Sequence, residues 1–88
     1  MQSHFKVGEK YLIRGVIFFY TGEVVSVNDK EIVLKDAAWV TSTGRFNKCL
    51  ETGELVEAEP FPDPVIVSRD TIVDATVWNH KLPREVIE

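Results

Sequence analysis

The chain has 88 residues, a net charge of −4, 44% apolar and 27% charged residues, the balance of one small folded domain and not of a disordered chain. Its single cysteine excludes an internal disulfide framework, and two histidines far apart in sequence leave no structural zinc site. Residues 1–36 carry five bases and five acids, and residues 37–88 five bases and nine acids, so the average field repels a long polyanion such as duplex DNA. A small anion needs only two or three placed cations and is compatible with that field.

The opening Met1-Gln2-Ser3-His4-Phe5-Lys6 has no apolar core and does not read as a signal peptide. The longest apolar run, Val16 to Tyr20, is too short to span a bilayer. An intracellular, cytoplasmic protein without membrane contact is the expectation. A domain of this size gains little more from burial than it loses in ordering, so self-association would help it.

Residues 10–20 are rich in β-branched and aromatic types and predict one strand. Tyr11, Ile13 and Ile17 fall on one face, and Leu12, Val16, Phe18 and Tyr20 on the other. Both faces ask for burial, which predicts a core on one side and a contact surface, hence a homo-oligomer, on the other. Residues 22–27 predict a second strand, Asn28-Asp29-Lys30 a turn, and Glu31 to Val40 a third strand. Thr43 can cap a short helix whose apolar positions are Phe46, Cys49 and Leu50, with Gly53 just past its end. Residues 54–59 stay ambiguous, and Pro60-Phe61-Pro62-Asp63-Pro64 reads as a stiff connector. Val65-Ile66-Val67 and Thr71-Ile72-Val73 predict two short strands about Ser68-Arg69-Asp70. The fold expected is mainly β: a small five-stranded antiparallel barrel with one short helix inserted after the third strand.

At this point the sequence resembles the Sm-like and SH3-like small barrels. Gly22, Val27, Asp29, Ile32, Leu34 and Asp36 resemble the first Sm-like motif, and Val67, Ser68, Arg69, Asp70, Ile72 and Val73 the second. The chain departs from the pattern in having no evident N-terminal helix, few residues between Asp29 and Ile32, Asp70 in place of the usual glycine, and a long insert from Thr41 to Pro64. In that family the two turns, here Asn28-Asp29 and Arg69, line a nucleotide site, so the resemblance implies ligand contacts for these three residues. Asp36-Ala37-Ala38-Trp39 and Glu59-Pro60-Phe61-Pro62-Asp63 are also similar to stretches of short phage and prophage proteins. That likeness implies a bacterial host cell and adds no mechanism.

Thr41-Ser42-Thr43-Gly44-Arg45 offers hydroxyls, a glycine and a guanidinium at a predicted helix start. Free N–H groups there attract anions, and a cation in a first turn is otherwise slightly unfavourable. The plainer alternative is an ordinary cap with Arg45 solvated or paired to a nearby glutamate. Trp39 and Trp78 could stack on a base, or serve core packing and oligomer contacts. Arg69 could bind an anion, or pair with Asp70 across its turn. Cys49 shares the helix's apolar stripe, so a buried hydrophobe is expected and not a nucleophile. Asp70 and Asp74 flank a strand and do not face each other across a cleft, and His80 has no nucleophile beside it. No cofactor motif or metal-ligand set stands out, and catalysis is not expected.

The residues support a non-enzymatic homo-oligomeric module that binds or sequesters a small nucleotide-type anion through Asn28, Asp29, Trp39, Thr41, Thr43, Gly44, Arg45, Arg69 and Trp78. The alternatives are a structural or protein-interaction component, such as a virion part or an inhibitor of a host protein, and single-stranded RNA binding.

Overall fold

Residues 4–88 are described by a computed structural model. The first three residues, part of the opening segment read as lacking a leader core, lie outside the described residues. The β-branched and aromatic stretches form an antiparallel sheet of six strands: β1 (Lys10–Arg14), β2 (Phe19–Val27), β3 (Glu31–Ser42), β4 (Glu57–Pro60), β5 (Val65–Ser68) and β6 (Asp74–Val77), with one helix, α1 (Phe46–Thr52), between β3 and β4. The order is β4-β3-β2-β1-β6, and β5 also pairs with β3. The pairing does not close on itself, so the sheet is open, and it has one strand more than the five expected.

Three expectations from the sequence are corrected. Residues 10–20 are two strands, because Gly15 turns the chain: its N–H donates to the Phe18 carbonyl at 2.9 Å. Val16 and Ile17 therefore sit at a hairpin tip, and the two-faced strand from Val16 to Tyr20 does not exist. Thr71 to Val73 is not a strand. Arg69–Thr71 forms a single 3-10 turn, and the last strand starts at Asp74. The ambiguous residues before Pro60 supply β4, with Pro60 at its end where a missing N–H is tolerated.

The demand for burial on both faces of β1 is real, and the chain meets it internally. Tyr11 and Ile13 join Val24, Ile32, Leu34, Ala37 and Val67 in one core. Leu12, on the opposite face, packs with Cys49 and Trp78, and with Phe19, Leu50, Leu55 and Leu82 around them. Helix and C-terminal tail thus cover the face the sequence had assigned to a partner. A bridge between Ala58 and Ile87 ties the tail to the free side of β4.

β3 is long enough to serve two partners along one edge. Its residues 31–34 pair with β5 and its residues 38–42 with β4. Between them Asp36 has φ of 50°, and the register with β2 slips so that Asp36 and Ala37 oppose Gly22, which is a bulge. A Cβ on Gly22 would lie 3.0 Å from Leu34 Cβ and 3.2 Å from Ala37 Cβ, so a side chain there would press these neighbours a few tenths of an ångström apart. Gly22→Ala should destabilise by about 1–3 kcal/mol through overpacking, read as a lower urea midpoint. The Thr21 hydroxyl, next to this bend, is fully buried with no hydrogen-bond partner. Thr21→Val keeps the shape and removes a desolvated polar group, and should raise stability by about 1–2 kcal/mol.

Candidate functional site

The turn expected at Asn28 is present, and its side chain builds it. Asn28 Oδ1 accepts the N–H groups of Lys30 at 2.8 Å and Glu31 at 2.9 Å, an Asx turn. Arg69 reaches this turn across 41 residues, donating from Nη1 to the Asn28 carbonyl at 2.7 Å. Its guanidinium also stands 5.9 Å from the Phe5 ring centroid. Arg69 is therefore brought to the turn that holds Asn28 and Asp29; it is bonded to backbone, stands over a ring and makes no ion pair with Asp70.

Thr41, Thr43, Gly44 and Arg45 lie at the other end of β3. Thr41 sits where the register with β4 slips. The helix cap differs from expectation: Arg45, not Thr43, is the N-cap, and no side chain caps the helix. Gly44, at φ of 67°, turns the chain beforehand, and the Thr43 hydroxyl donates to the Gly44 carbonyl at 3.0 Å instead of serving the helix. At the far end Gly53, at φ of 79°, donates to the Cys49 carbonyl at 2.8 Å, as expected. A cavity of about 370 Å³ opens here, lined by Thr43, Gly44, Arg45, Lys48, Leu55 and Val56, with Glu54 beside Lys48. Lys48 and Glu54 are 3.7 Å apart. Arg45 is exposed and takes part in no ion pair among the described residues.

The two tryptophans part company. Trp39 is 38% exposed, with its ring 5.3 Å from Phe18 and 5.7 Å from Phe61, so part of it remains open to a ligand or partner. Trp78 is 1% exposed in the second core. Its indole N–H donates to the Lys81 carbonyl at 3.0 Å, and its ring meets His80 edge-on. It has no free face for stacking, and the reading of Trp78 as a ligand contact is corrected: it is a core residue. Phe46 moves the other way, from expected core to 44% exposed, with its ring 5.8 Å from Phe19.

Cys49 is buried as expected, and burial pushes its thiol above the ordinary value. The folded protein should resist thiol reagents that label it rapidly in urea. Because the folded value is raised, the neutral thiol's contribution to stability is complete below the unfolded value. It is lost as pH rises through the folded one, so this contribution falls away in alkali, and Cys49→Ser should flatten that part of the stability profile.

Sequence reasoning missed a cavity of about 730 Å³, bounded by His4, Phe5, Lys6, Glu9 and Tyr11, by Ile72 and by all of β6. No signal in the sequence marks it, because it forms where the residues before β1 meet a strand 70 positions later. Its titratable lining residues are His4, Lys6, Glu9, Tyr11 and Asp74. Asp74 on its rim is engaged by the Arg14 guanidinium, whose Nε donates to Oδ1 at 3.1 Å. Among the described residues, no cluster of His, Cys, Asp and Glu could hold a metal, and no helix is long and apolar enough to cross a membrane. Compared with protein families, with curated proteins and with solved structures, the chain gives no match.

Proposed function

We propose that the chain is a non-enzymatic, self-assembling module that binds or sequesters a small nucleotide-type anion. The observation that carries the reading is Arg45: an unpaired guanidinium at a cavity whose other walls are the Thr43 hydroxyl, the Gly44 backbone, the Lys48–Glu54 ion pair and the apolar Leu55 and Val56. Such a mixture suits a ligand with one anionic and one apolar part. In water an unpaired surface arginine is unremarkable, but a phosphate at the same position accepts a charged hydrogen bond.

Self-assembly is supported by two strand edges. β5 pairs only with β3, and β6 only with β1, so each presents a row of free backbone groups, separated by one 3-10 turn. Their surroundings are apolar: Ile66 is 65% exposed, and Val73 and Val77 are exposed too. A second copy laying β5 along β6 would satisfy both rows. The monomer's surface of 5864 Å² also exceeds the roughly 5,200 Å² expected for 10.0 kDa. Arg45 and Arg69, at opposite ends of β3, would meet one ligand only across a boundary between copies.

Titration of mono- and dinucleotides tests this, with thermal melts on the same samples. Arg45→Ala should weaken the best ligand by about 1.5–3 kcal/mol, the range for a charged hydrogen bond, and leave the melt unchanged. Equal affinity in Arg45→Ala removes the anion reading. A steep fall of oligonucleotide binding with salt would favour RNA instead. The hairpin tip supports the second reading, a protein-interaction component, since Val16 and Ile17 are 74% and 81% exposed. Binding of a protein partner lost in Ile17→Ser, with no response to any nucleotide, would select it.

A further inference from the structure

A second basic site shares no residue with the ligand contacts expected from the sequence. Lys10 from the start of β1, Lys81 and Arg84 from the C-terminal tail, and Asp36 from the bulge of β3 line one shallow groove of about 350 Å³, floored by Leu82. Three cations against one carboxylate give the groove a local charge of +2, in a chain whose net charge is −4. Chance scatter over an acidic surface would not favour this convergence from positions up to 74 residues apart.

The bonds that hold these cations leave their charge in place. Lys10 Nζ donates to the His80 carbonyl at 2.6 Å, and Arg84 donates to the carbonyls of Ala37 and Phe61, both at 3.3 Å. All three acceptors are neutral, so they orient the cations without neutralising them. The only ion pair in the groove, Arg84 Nε to Asp36 Oδ1, is long at 3.8 Å. Lys10 and Lys81 take part in no ion pair among the described residues. The Lys81 backbone is fixed to the core by the Trp78 indole at 3.0 Å, so its ammonium hangs from an anchored point. Asp36 itself is held at φ of 50°, a conformation that only a few non-glycine residues adopt readily, Asp and Asn among them.

We propose that this groove binds the multiply charged phosphate group of a small soluble molecule. A dianion matches the uncompensated charge. Lysine ammoniums as point charges and an arginine guanidinium as a planar donor form a common grip on phosphate oxygens. Asp36 acts against the ligand and sets a ceiling on affinity. The site shares no residue with the Arg45 cavity and stands or falls separately from it.

Pyrophosphate at low ionic strength is the probe, and the molecule carries its own reporter. Of the two tryptophans, only Trp78 touches the groove's backbone, so its indole N–H resonance should move saturably with pyrophosphate while that of Trp39 stays. Lys81→Ala leaves the carbonyl bonded to Trp78 intact and should weaken binding about tenfold. Asp36→Asn keeps a residue suited to the left-handed conformation, removes the opposing charge, and should tighten binding severalfold. Arg45→Ala should leave the titration unchanged. No saturable shift at Trp78, equal affinity in Lys81→Ala, weaker binding in a folded Asp36→Asn, or loss of the shift in Arg45→Ala would each overturn the assignment.

Discussion

If copies join through β5 and β6 as proposed, Ala75→Pro is expected to leave a folded monomer. The Trp78 N–H donates to the Lys10 carbonyl at 2.9 Å, which sets the phase of the last strand. Antiparallel neighbours alternate between bonded and non-bonded pairs, and Leu12 opposes Thr76 while Ile13 opposes Ala75. The backbone groups of Thr76 and Trp78 therefore point at β1, and those of Ala75 and Val77 point outward. Proline at 75 removes an outward N–H and leaves the internal ladder whole. Native mass spectrometry or light scattering at tens of micromolar should show oligomer in the parent and monomer in the variant, with the cooperative melt of a folded domain retained. Thr76→Pro is the contrast, since it breaks the internal ladder and should lower the melt as well. A wild-type protein that is already monomeric at this concentration, or an Ala75→Pro protein that still assembles, would show that β6 is not the joint.

The second large effect is at Trp78. Its indole is among the largest fully buried side chains and ties α1, β1 and the tail into one cluster. Trp78→Ala should cost about 3–5 kcal/mol through lost burial and a cavity, a large share of the 5–15 kcal/mol that holds an ordinary domain together. Urea unfolding reads it directly, as a midpoint shift with little change in slope. Trp39→Ala, at a half-exposed ring, should cost far less. A ligand-stacking Trp78 predicts the reverse pattern, with binding lost and stability kept. The two outcomes do not overlap.

Why Trp78 misled the sequence reading is a matter of what a local pattern encodes. Strand period and turn chemistry are local, and they were legible: the Asn28 turn, the third strand, the helix with Cys49 inward and Gly53 at its end all follow from neighbours within a few residues. Trp78 sits in an irregular tail with no period, so its burial depends on where the tail returns, beside Leu12 and Cys49, which are 66 and 29 residues distant in sequence. The same reason hid the split of residues 10–20. Gly15 is tolerated inside a strand or at a turn, and only the pairing of β1 with β2 selects the turn.

The sequence by itself determined that this is a small, mainly β domain with one short helix, a buried cysteine and a charge that disfavours long polyanions. These follow from composition and short-range spacing. The tertiary structure alone decided which cations are free to act. Arg69 is held by the Asn28 carbonyl, Arg45 stands unpaired by its cavity, and Lys10, Lys81 and Arg84 share one groove. It also decided that both faces of β1 are covered from within, leaving the strand edges exposed. Each of these depends on contacts between residues dozens of positions apart, where electrostatic and packing energies arise from distance in space and the linear order carries no record of it.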